Sequence, residues 1–243
     1  MKLINKKILI TGATSGIGLK LVEKLYQHND IYIIARNKIK INELQTRFPK
    51  IVTYQADFSN IDELQLVAKK LNYDLNSLDV LINNAAVQYT PSFIDEDFAF
   101  NTINNEITTN FTSICCLCYL LLPLLSQPHN ALILNVNSGL AIAPKTTSAV
   151  YCATKAALNT FSQSLRYQLK NTRIQVLQAF LPLVDTAMTK GRGTSKMSVD
   201  KVSTEIIKGL EKTIVDHDIG KVKFLRVINR LLPSIAKEIM RKN

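Results

Sequence analysis

The sequence predicts a single α/β domain, a doubly wound parallel sheet with helices on both faces. Three observations predict it. Short β-rich runs alternate with longer amphipathic segments, the pattern of repeated strand–helix–strand units. The strand runs are continuously apolar instead of alternating, as strands covered on both faces are. No internal repeat, low-complexity tract or long linker interrupts the 243 residues. With 47% hydrophobic and 20% charged residues, the chain can bury one sizeable core.

Lys7 to Thr11 forms the first strand, so near residue 1 that no signal peptide is expected before it. Ile17, Leu21, Val22 and Leu25 then share one helical face, as a crossover helix requires. Ile31 to Ile34 and Ile51 to Gln55 are the second and third strands. Leu64, Val67, Ala68 and Leu71 form the next apolar stripe, in a helix beginning near Asn60. Val80 to Asn83 is the fourth strand. The longest apolar run, Ile114 to Leu125, has 12 residues and contains Pro123. A membrane span needs about 20 residues, so the run reads as a buried helix. Ala131 to Val136 and Ile174 to Phe180 complete six strands, with a helix over Val150 to Leu169 between them. Beyond about Pro182 an appended lid, 186–200, and a tail, 220–243, are expected.

Cys115, Cys116 and Cys118 crowd one apolar run while Cys152 stands apart, which suits reduced core thiols and a cytoplasmic setting. His28, His129 and His217 are scattered, and Cys115-x-x-Cys118 lacks two further nearby ligands, so no metal is expected. The net charge is +11, and from Gly220 onward seven Lys and Arg residues face Glu238 alone. Val222, Leu225, Ile228, Leu231 and Leu232 lie among those cations, so the tail either packs on the protein, the default, or lies on an anionic bilayer. No aromatic stacking platform or reader motif accompanies the charge, so nucleic acid is not an expected partner.

Function is carried by motifs at the ends of the strands, where ligands of such sheets bind. Thr11-Gly12-Ala13-Thr14-Ser15-Gly16-Ile17-Gly18 joins the first strand to the first helix, the context a phosphate-binding turn needs. Gly12 permits the tight turn, Gly16 lets backbone approach a pyrophosphate, and Gly18 lets helix and sheet pack closely. Tyr151 and Lys155 are one helical turn apart, about 6 Å along the axis. A neighbouring ammonium favours the phenolate and moves the tyrosine toward acid–base use. Ser138, delivered by the fifth strand, can hydrogen-bond a substrate oxygen as charge develops on it.

The glycine turn, Asn83-Asn84-Ala85-Ala86, Asn110, Ser138 and Tyr151-x-x-x-Lys155, in that order and with 13 positions from Ser138 to Tyr151, resemble the short-chain dehydrogenase/reductase superfamily. The resemblance spans about residues 5 to 190. Within it, the stretch from Leu181 to Gly193 looks like bacterial oxidoreductases associated with the teichoic-acid D-alanylation operon. The resemblance implies a Rossmann-like fold and a small carbonyl or alcohol substrate. It further implies that Lys155 holds the nicotinamide ribose and that Asn110 anchors a water linking Lys155 to solvent. Thr14, Ser15 and Ile17 of the turn, with Pro182, Val184 and Thr186, complete the implied cofactor-binding set, Thr186 contacting the nicotinamide carboxamide.

Cofactor choice rests on the end of the second strand. Ala35 stands where an acidic residue would bond the adenosine ribose, and Arg36 follows, whose planar fork suits a 2′-phosphate. NADP(H) is therefore expected over NAD(H), the other reading of Arg36 being a cation opening a solvated helix. Ser15 replaces the basic residue that many NADP-dependent relatives carry. Asp57 either accepts from the adenine amino group or caps the helix near Asn60, and Asn83 and Ala85 are expected to line the adenosine side. Asn137 and Leu183 depart from the family's usual Ser and Gly. Lys190, Arg192 and Lys196 make the lid positive, through an acidic substrate or simple solvation. The helices over Thr112 to Leu125 and Val150 to Leu169 match surfaces by which relatives associate, so a homodimer or homotetramer burying the Ile114 to Leu125 run is expected. The competing expectation is a dinucleotide-binding sensor or scaffold without turnover.

Overall fold

The computed structural model describes residues 1–242. Seven strands form one parallel sheet: β1 (Lys7–Thr11), β2 (Asp30–Ala35), β3 (Val52–Gln55), β4 (Val80–Asn83), β5 (Ala131–Ser138), β6 (Ile174–Leu181) and β7 (Asp216–Asp218). Their spatial order is β3-β2-β1-β4-β5-β6-β7, so the chain winds outward twice from the β1–β4 centre. This is the Rossmann-like arrangement, and its switch point lies between β1 and β4.

The strands alternate strictly between two hydrophobic layers. Ile8, Ile10, Val80, Ile82, Leu132 and Leu134 point to one face, and Leu9, Leu81 and Ile133 point to the other. The first face is covered by α1 (Gly16–Leu25), α2 (Lys38–Arg47) and, from late in the chain, α8 (Val199–Glu211). The second is covered by α3 (Ile61–Asp74), α5 (Ser113–Leu120) and α7 (Ala149–Gln168). The apolar stripes read from sequence on α1 and α3 are those that become buried, except Ile17 and Val67, which pack half-exposed at the margins.

Three expectations need correction. The chain beyond Pro182 is more than a lid and tail: α8 buries Val202, Ile206 and Leu210, and β7 pairs in parallel with Gln178–Phe180. An Asp-His-Asp strand carries no apolar signal, which is why periodicity misses it. The Ile114 to Leu125 run is two helices, because Pro123 lacks the N–H a continuous helix needs, and α6 (Leu122–Leu125) starts afresh with proline in its first turn. That run is also buried without a partner copy: Ile114, Leu117, Cys118, Leu121, Leu124 and Leu125 pack into the second layer, leaving Tyr119 outward.

Upstream, α4 (Asn101–Ile107) joins α5 through a single π-helical turn, Thr108–Thr112. The tail forms α9 (Val222–Leu231) and α10 (Pro233–Arg241), which pack against each other. Val222 and Ala236 are buried, and Arg226 grips Asp218 through two hydrogen bonds of 2.5 and 2.7 Å while lying over the Phe180 ring. The tail thus packs on the body, although Phe224, Leu231, Ile235 and Ile239 stay exposed. Among the described residues no helix is long and apolar enough to cross a membrane, and no group of three or more His, Cys, Asp or Glu residues is placed to hold a metal.

Candidate active site

A cleft of about 970 Å³ opens at the carboxyl ends of the strands. One end is the β1–α1 turn. Gly12 and Gly16 sit at φ +67° and +53°, and a Cβ on Gly12 would lie 2.9 Å from the Ala85 Cα. At Gly18 a Cβ would meet the Gly12 carbonyl at 2.4 Å, so this glycine sets the helix–strand approach. Asn84 fixes the turn by donating to the Thr11 and Gly12 carbonyls at 2.9 and 3.2 Å, and the Thr11 hydroxyl accepts from the Asn84 and Ala85 amides at 2.9 Å. Ser15 caps α1 without a side-chain bond to its first turn. The helix amides are therefore directed into the cleft, and a pyrophosphate fits there on backbone donors and the helix dipole.

At the other end Ser138, Tyr151 and Lys155 line the same cleft. Ser138 ends β5, where its hydroxyl accepts from the Leu140 amide at 3.1 Å and neighbours the Tyr151 phenol. Lys155 is buried, its Nζ donating to the Val136 carbonyl at 3.0 Å and standing 5.7 Å from the Tyr151 ring centroid. Burial pulls its pKa down to about 8, against the opposing pull of Glu106. Burial likewise raises the Tyr151 phenol above its ordinary value, Cys152 and Glu106 add to the rise, and Ser138 and Arg192 oppose it. Without a nucleotide in the cleft, desolvation outweighs the pull of Arg192 and favours the neutral phenol. A protonated phenol is what reduction of a carbonyl needs.

Asn110 sits in the π-helical turn, fully buried. Its Oδ1 accepts from the Val87 amide at 2.9 Å, and its Nδ2 donates to the Val87 carbonyl at 2.8 Å and to Thr154 at 3.3 Å. Its side chain is thereby committed to the loop after β4, so the expected water anchor is not a free side-chain amide.

At the adenosine end Arg36 and Asp57 face each other, Nη1 to Oδ2, at 3.5 Å. Arg36 is not part of α2, whose cap is Asn37, and Asp57 does not cap α3, whose cap is Asn60. Asp57 instead accepts from the Ser59 amide and hydroxyl at 2.9 and 2.8 Å, bonds that help hold its carboxyl below the usual range despite partial burial. Asn83 departs from expectation: its side chain is buried between Asn135, at 2.8 Å, and the Cys118 sulfur, at 3.5 Å, and Asn84 lines the cleft in its place beside Ala85. Thr14, Ser15, Gly16, Ile17, Pro182, Val184 and Thr186 all line it. Gly18 lies outside the lining and sets the approach of helix to strand.

The lid is shorter than expected, running from Thr186 to Ser198, because α8 begins at Val199. A parallel bridge between Val184 and Met197 closes its base. Leu183 is accommodated by Gly193, where a Cβ would come within 2.5 Å of the leucine Cδ2. Sequence reasoning missed Glu106, a buried carboxyl that accepts from the Tyr89 amide at 3.0 Å and whose pKa burial pushes up to about 7. It also missed Lys145, which lines the cleft from the loop before α7. Nothing in their local pattern marks either, since both act through tertiary placement.

A nucleotide turn facing a serine, a phenol and an amine across one cleft defines a nicotinamide-dependent oxidoreductase. Residues 6–197 match the family model described as short chain dehydrogenase, and the chain belongs to that family. It is 34% identical over 207 residues to the uncharacterized oxidoreductase DltE of Bacillus subtilis, covering 84% of this chain and 82% of that protein. It is 30% identical over 218 residues to the human very-long-chain 3-oxoacyl-CoA reductase, covering 85% and 67%. A short chain dehydrogenase from Burkholderia cenocepacia in complex with NADP superposes with a TM-score of 0.88 at 21% identity over 99% of both chains. One from Sphingobium yanoikuyae in complex with NADPH gives 0.82 at 24% identity over 95% of both chains.

Proposed function

We propose that the protein is an NADP(H)-dependent oxidoreductase acting on a carbonyl or alcohol carbon, with Tyr151 as its acid–base group. The observation that carries this reading is the convergence of Ser138, Tyr151 and Lys155 at the far end of a cleft that begins at the glycine turn. When bound, the nicotinamide supplies or accepts the hydride. Ser138 orients the substrate oxygen and donates to it as charge builds. Tyr151, kept protonated by burial, gives its proton to that oxygen in reduction and takes it back in oxidation. Lys155 places a positive charge beside the phenol as it ionises. Arg36, exposed at the rim and paired with Asp57, supports the choice of a 2′-phosphate. The nucleotides named for the two structural neighbours agree with that choice.

Titration with NADP⁺ and NAD⁺, followed by a broad carbonyl panel with NADPH, tests the reading. Tyr151→Phe is expected to retain nucleotide binding and lose at least ~100-fold in kcat, within the range of general acid–base contributions. Nucleotide binding without turnover of any carbonyl, unchanged by that substitution, would favour the sensor. We further propose a homo-oligomer associating through α5 and α7, which leave Tyr119 and Tyr167 exposed. Sedimentation equilibrium as a monomer would refute it.

A further inference from the structure

The cations of the lid do not share one environment. Lys196 donates to the Thr189 carbonyl at 2.7 Å and stands 3.6 Å from Asp185, so its charge is answered at the base of the lid. Lys190 is exposed and lies outside the cleft lining. Arg192 turns inward, half-buried, and lines the cleft on the side of Tyr151. Lys145, also half-buried, lines it from the loop before α7, close enough to Arg192 for the two charges to repel.

Among the described residues neither Lys145 nor Arg192 has a carboxylate partner, and Asp57, at the adenosine end, is the one carboxylate lining the cleft. Two like charges brought together and partly desolvated are costly unless an anion completes the cluster. The 2′-phosphate and pyrophosphate are accounted for at the opposite end. Leu140, Leu225, Ile228 and Met240 supply apolar lining for the rest of a substrate.

We infer that Lys145 and Arg192 form an anion subsite, so that the substrate is an amphiphilic carbonyl compound carrying a carboxylate or phosphate. This rests on the reading of the cleft as a carbonyl site and names the substrate class for it. Arg192 already turns into the cleft, so the lid itself supplies one of the two cations, and an anion held between them directs the carbonyl toward Ser138 and Tyr151.

Matched pairs separate charge from shape. In one arm, NADPH oxidation is measured with medium-chain oxo acids and their methyl esters. In the second, acetoacetyl-CoA is compared with acetoacetyl-N-acetylcysteamine, the same thioester without phosphates. Calorimetric binding of octanoate against octanamide to the NADP⁺-loaded protein gives a readout that needs no turnover. The anionic member is expected to be favoured at least ~10-fold in one arm or in binding, the arm identifying carboxylate or phosphate. Lys145→Gln with Arg192→Gln should erase the preference, and Lys190→Gln should leave it. Equal use and equal binding of charged and neutral partners would overturn the inference, as would a preference that survives the double substitution or falls equally with Lys190→Gln. Anion binding without any carbonyl turnover would uphold the subsite and refute the reductase reading, so the two failures are distinct.

Discussion

Removing the Arg36 guanidinium tests cofactor discrimination most directly. Arg36 is 63% exposed in its side chain, and its one ion-pair partner among the described residues is Asp57 at 3.5 Å. A hydrogen bond to a charged group contributes roughly 1.5–3 kcal/mol, and exposure places this one toward the lower end. At about 1.4 kcal/mol per factor of ten, Arg36→Ala should weaken NADPH ~10- to 30-fold. NADH, which has no 2′-phosphate, should change less than ~3-fold. Loss of Arg36 also leaves Asp57 uncompensated beside the phosphate, so Asp57→Asn in the same chain should restore part of the NADPH affinity and none of the NADH affinity. Quenching or energy-transfer titration of both nucleotides at fixed ionic strength reads the two constants. Equal losses for both, or a larger loss for NADH, would show that Arg36 does not recognise the phosphate.

Lys155 is charged below its depressed pKa of about 8, so NADPH-dependent reduction should decline as pH rises through that value. Ionised Glu106 raises the Lys155 pKa, and Glu106→Gln should therefore move that basic limb to lower pH; a pH–rate profile with an unmoved limb would exclude the coupling. Gly193→Ala combines φ +57° with a Cβ 2.5 Å from Leu183. It should loosen the lid and cost about 1–2 kcal/mol from the backbone alone. Adding Leu183→Ala should recover the steric part only, as read by lid proteolysis and thermal unfolding.

The fold was legible because every central strand is a short aliphatic run between amphipathic helices, and six of the seven strands follow from that pattern. β7 escaped because its pairing depends on β6 and the α8 crossover rather than on its own residues. The turn and Tyr151, Lys155 and Ser138 were legible because their chemistry depends on spacing along one strand end or one helix face. Asn83 and Asn84 are adjacent residues of one type, and only the pleat decides which turns to the cleft and which to Asn135. Glu106 reaches Lys155 from α4, while Lys145 and Arg192 reach the cleft from separate loops, and nothing local in the chain records that.

The π-helical turn at Thr108–Thr112 is the segment that carries Asn110. A wide turn holds one more residue than α-helix would, so losing one residue there would let α4 run straight into α5 with both helices keeping their phase. The helix would be more regular, yet the widened turn that presents Asn110 to Val87 and Thr154 would be gone, and the side-chain hydrogen bonds that tie the loop after β4 to this wall would go with it. This stretch should therefore accept many substitutions on its exposed side while tolerating no change in length, a signature that deep insertion–deletion scanning would register as an isolated gap in an otherwise permissive helix.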